Sequence, residues 1–79
     1  MNNLNADNYI KLLKIDAKAL GIPAGAAEIF IQKSIIAAFK TLQKKSIVTE
    51  LDVKKAIVKE LKKYHTDLAY VFENRDKIV

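Results

Sequence analysis

Between Ala24 and Lys45 apolar side chains recur at helical steps on more than one face, and no other feature constrains the fold as much. Ala27, Ile31, Ile35, Ala38, Phe39 and Leu42 form one stripe at the spacing of a buried helix face. Ile29 and Ile36 lie off that stripe, and Phe30 and Ala37 fall on a further flank. Gln32, Lys33, Lys40, Gln43 and Lys44 interrupt this second set. A helix that is apolar around most of its circumference is central and covered on several sides. The stretch therefore predicts a middle helix, starting near Pro23 and running to about Lys45, clasped by its own neighbours and by a second chain.

The flanking segments read as helices too. Ala6, Ile10, Leu13, Ala17 and Leu20 are three or four residues apart, which predicts a first helix over about 6–20 after a flexible arm at residues 1–5. Asn5 or Asp7 suits its start. Gly21 stands where a left-handed cap residue belongs, with Pro23 two positions on as a stop. Ser46, Ile47 and Val48 provide a brief extended link. Thr49 can then cap a third helix, with Asp52 three residues later in the place of the reciprocal capping-box acid. Val53, Ala56, Ile57, Leu61 and Tyr64 make its stripe, and Lys54, Lys55, Lys59, Lys62 and Lys63 occupy most of its other side. Leu68, Val71 and Phe72 either continue that helix or belong to a new one capped by Thr66. The expectation is one all-α domain over residues 1–79, with three to four helices in the order short, long, medium, a helical core at 6–65 and a C-terminal extension at 66–79.

At 79 residues the chain buries only about 60% of its unfolded surface. A domain this small commonly needs cross-links, a metal or a partner chain. Cys is absent, which removes disulfides, thiolate zinc sites, iron–sulfur clusters and thiol nucleophiles. A lone His65 leaves little for a transition metal. Two Gly and one Pro are too few for a β-sandwich or a phosphate loop, and an apolar fraction of 51% argues against disorder. What remains is a helical protein that completes its core by self-association.

The net charge is +5, and thirteen of the fourteen basic residues are Lys, the exception being Arg75. Residues 1–65 carry +6 and residues 66–79 carry −1, so the basic character belongs to the body of the domain. Such a body is attracted to phosphate polyanions or anionic membranes. Asn, Ile and Lys also abound together, as genome-wide base bias produces, so the lysines stand either as composition or as a selected surface. The scarcity of Arg counts against base-specific readout, since Arg is the usual bidentate partner of guanine. Lys44 and Lys45 sit at the end of the middle helix beside a loop that can approach a phosphate, a position that also simply suits cations.

Catalytic candidates are thin. Asp16, Glu28, Glu50, Asp52 and Glu60 are scattered, and His65 with Asp67 is an alternation whose side chains do not face each other on a helix. Gly21 and Gly25 are isolated and form no phosphate cradle. The aromatic residues fall at core spacings, with only Tyr64 and Tyr70 placed to border a basic groove. No cofactor, metal or small-molecule substrate is expected, and the chain is expected not to be an enzyme.

Two stretches carry a family resemblance. Residues 19–27, Ala-Leu-Gly-Ile-Pro-Ala-Gly-Ala-Ala, look like the join between the first and central helices of the histone fold. Residues 45–56, Lys-Ser-Ile-Val-Thr-Glu-Leu-Asp-Val-Lys-Lys-Ala, are similar to the second histone loop entering the third helix. The chain thus resembles small archaeal-type histone-like proteins over roughly residues 6–64, with a central helix about two turns shorter. Its first loop has no basic residue, and its second lacks the family's Arg, which leaves Asp52 without an evident ion-pair partner. The Val-Thr-x-x-Asp-Val pattern also resembles the helical lid of AAA+ ATPases, which implies a related arrangement of helices and no ATPase activity.

The histone resemblance implies a homodimer in which the central helices cross, burying Ile29, Phe30, Ile36 and Phe39. It also implies paired loops that aim Lys44, Lys45 and Ser46, with Lys54 and Lys55 behind them, at duplex DNA. The function expected is non-enzymatic DNA binding by a homo-oligomer, through lysine–phosphate contacts of little sequence preference. The alternative is a helical protein-interaction module or a small subunit of a larger complex. The polar N-terminal residues and the lack of a long apolar run predict a cytoplasmic, nucleoid-associated protein with no membrane contact.

Overall fold

Four helices make up residues 6–75, the span that the computed structural model describes: α1 (Ala6–Ala19), α2 (Ala24–Leu42), α3 (Glu50–Leu61) and α4 (Thr66–Glu73). No strand occurs among the described residues, and the protein is all-α. The arm expected at residues 1–5 and the last four residues of the expected extension lie outside the described span.

Each helix starts and stops for a local reason. α1 ends in a Schellman turn: the Ile22 amide donates to the Ala17 carbonyl and the Gly21 amide to the Lys18 carbonyl, both at 3.0 Å. Gly21 has φ +76°, the left-handed conformation that a side chain would strain. Pro23 is the cap of α2 rather than its first residue, since its ψ of 137° is extended. α2 is 19 residues long and closes at Leu42, short of the expected Lys45. The amides of Lys44 and Lys45 donate to the Thr41 and Leu42 carbonyls, three residues back, at 3.3 and 3.0 Å. Those tighter turns end the α-helix and leave both lysines in the connection.

The C-terminal stripe is a separate helix. α3 stops at Leu61, and His65, with φ −155° and ψ 103°, turns the chain. His65 Nδ1 accepts a hydrogen bond from the Leu68 amide at 3.2 Å, so the cap of α4 is His65 and not Thr66. The helical core does not stop at residue 65 either, because Leu68, Ala69 and Phe72 of α4 are buried in it.

The helices form a ring. α2 packs on α1 and α3, α4 packs on α3 and α1, and α1 and α3 stand across from each other. The centre is filled by Leu13, Ile31, Val53, Ile57, Leu61 and Phe72. Each such side chain contributes about 1.5–3 kcal/mol on burial. One ion pair closes the ring between its first and last helices. The Arg75 guanidinium donates through Nε and Nη2 to the two Asp16 oxygens, at 3.3 Å each. Asp16 sits on the inward face of α1 with only 7% of its surface exposed.

Candidate functional site

The corner between α2 and α3 is built by a capping box. The Asp52 amide donates to Thr49 Oγ1 and the Thr49 amide donates to Asp52 Oδ2, both at 3.1 Å. The Lys45 ammonium then reaches Asp52 Oδ1 at 3.4 Å. Asp52 therefore has the ion-pair partner that its surroundings in sequence did not suggest. The backbone amide of Thr49 is the main influence holding its carboxyl below the usual aspartate range, and the Thr49 hydroxyl and Lys45 add to it.

This corner gathers the predicted basic residues. Lys44, Lys45 and Ser46 are exposed in the turn, and the Lys45–Asp52 contact ties that turn to the first turn of α3. Lys55 follows Asp52 by three residues, and Lys59 and Lys62 continue the row at steps of four and three. All three are exposed. Lys54 borders both this row and a small cavity of about 190 Å³ that it shares with Tyr9, Glu50, Phe72 and Arg75. Burial and the nearby Glu50 carboxylate push the Tyr9 phenol above its ordinary value. Lys63 belongs to neither set, its ammonium lying 3.2 Å from Glu60.

The four residues expected at a chain–chain contact divide into two pairs. Ile29 and Ile36 face outward from α2, 59% and 66% exposed, with none of the described residues covering them. Phe30 and Phe39 are half-buried against the chain's own core. The Phe30 ring stacks on Tyr64 and His65, with centroids 6.4 and 5.9 Å away. No family model, curated protein or solved structure matches the chain.

Sequence reading missed a groove along α3, of about 600 Å³, whose floor is Leu51 and Val58. The signal was present: these two residues are seven apart and off the stripe of Val53, Ile57 and Leu61. Among the described residues no three His, Asp or Glu side chains cluster to hold a metal, and no helix is long and apolar enough to cross a membrane.

Proposed function

We propose that the chain is a non-enzymatic, histone-like DNA-binding protein that acts as a homodimer. One observation carries the reading. Lys44, Lys55, Lys59 and Lys62 form a basic row from the α2–α3 corner along α3; Asp52 beside it is already matched by Lys45, and Glu73 of α4 is the acid that borders its far part. From Lys55 to Lys62 the row covers about 10 Å of helix, enough to meet successive phosphates of one strand. Ammonium groups recognise phosphate charge rather than base edges, so sequence preference is small. The uncovered Ile29 and Ile36 of α2 supply the contact between copies, and pairing doubles the number of lysines on one duplex.

Fluorescence anisotropy on labelled duplex DNA tests the reading. Affinity should fall with salt at a log–log slope of about −0.9 per phosphate neutralised. Lys44→Glu with Lys55→Glu should weaken binding at least about tenfold at low salt while the circular dichroism spectrum is unchanged. Retained affinity in that double variant removes the assignment of the row. Ile36→Asp should convert a dimer to a monomer in sedimentation, and a wild-type chain that sediments as a monomer at all concentrations removes the dimer.

A further inference from the structure

The groove along α3 combines two properties that a phosphate-binding row does not need together. Its floor is apolar, with Leu51 59% exposed and Val58 only 5% exposed. Its walls are cationic: Lys54 and Lys55 flank the Leu51 end, and Lys59 and Lys62 flank the Val58 end. Glu73, from the end of α4, is the one acid that lines it. A phosphate backbone gains from the lysines and nothing from the floor. A merely solvated helix face gains nothing from leaving a leucine more than half open beside a depression.

We propose that this groove docks an acidic amphipathic helix of a partner protein. Apolar side chains of that helix rest on Leu51 and Val58, and its carboxylates meet Lys55, Lys59 and Lys62. The fit is of the helix-in-groove kind, in which anchors one and two turns apart enter a line of apolar contacts. Leu51 and Val58 are seven residues apart, two turns of α3, and match that repeat. The methylene stems of the lysines extend the apolar walls while their ammonium groups stay in water. Glu73 adds a direction to the specificity, because the flank of the ligand that faces α4 must be neutral or basic. The inference goes beyond DNA binding and rests on a separate observation, the floor.

The test uses the full chain and a synthetic labelled helix-forming peptide of about 18 residues. Leu occupies one stripe of the peptide and Glu one flank. A scrambled peptide of the same composition and a short duplex DNA are titrated alongside it. The ordered peptide should bind at least about tenfold more tightly than the scrambled one. Leu51→Gln, a change on an outward position checked by circular dichroism, should weaken the ordered peptide by about tenfold and leave DNA affinity unchanged. Lys59→Glu should weaken the peptide further. Equal binding of the two peptides, or an ordered peptide indifferent to Leu51→Gln, overturns the proposal. So does DNA that loses affinity in Leu51→Gln, since nucleic acid then occupies the floor. Peptide failure with DNA binding intact defeats the docking proposal alone, and the reverse result defeats the DNA reading alone.

Discussion

The Thr49–Asp52–Lys45 corner and the Asp16–Arg75 closure each join a carboxylate to a cation, yet they are opposite kinds of device. The corner spans eight residues, lies at the surface, and gains most from two backbone amides. The closure links positions 59 apart, and its carboxylate is nearly buried. At the corner water can replace the ammonium, so the cation adds little once the capping bonds are made. At the closure water cannot easily reach Asp16, so removal of the guanidinium strands a charge inside the protein. What separates the two is how much each loses when its cation is removed.

The sharpest way to break that contrast is Arg75→Met, which leaves Asp16 unpaired. A fully buried pair loses roughly 3–5 kcal/mol in this way. Arg75 is partly exposed, so urea unfolding should show about 2 kcal/mol of destabilisation. A loss below about 0.5 kcal/mol would put the closure in the same class as a surface pair. Thr49→Ala should come next, at about 1 kcal/mol, through the lost cap.

Acid and alkali should then separate the regions. Asp52 is held below the usual aspartate range in the folded chain, so its contribution is present above that range and disappears as pH falls through the folded value. The stability difference between the wild type and Asp52→Asn should therefore shrink at low pH. Tyr9 beside the closure behaves in the reverse sense. Its raised value means a contribution complete below pH 10.0, the ordinary value, and lost as pH rises beyond it. The difference between the wild type and Tyr9→Phe should change only on that alkaline side. Lys45→Met should have the smallest effect, about 0.5 kcal/mol or less in urea unfolding.

The same contrast explains what could be read from the sequence. Gly21, Thr49 and Asp52 act on backbone within a few residues, and their roles were legible one by one. The stripe of α2 was legible because its period is local, and so was the outward set of Ile29 and Ile36. Phe39 stood in the buried stripe and Phe30 on a separate flank, but the resemblance alone assigned both to a chain–chain contact; the stacking of Phe30 on Tyr64 and His65 exists only once the chain has folded. Asp16 looked like one more scattered acid, and Arg75 like part of a near-neutral tail. Nothing between them in sequence encodes a pairing that exists only once α4 has come round to α1. The groove was half legible: its lysines stood out by charge, but Glu73 joins its lining only once α4 packs on α3.

α4 and Arg75 come late in the described span, yet they supply Leu68, Ala69 and Phe72 to the core and the counter-charge to Asp16. A cut between α3 and α4 therefore opens the apolar centre around Leu13 and Ile57 and strands the Asp16 carboxylate, so such a fragment should aggregate where the intact chain does not.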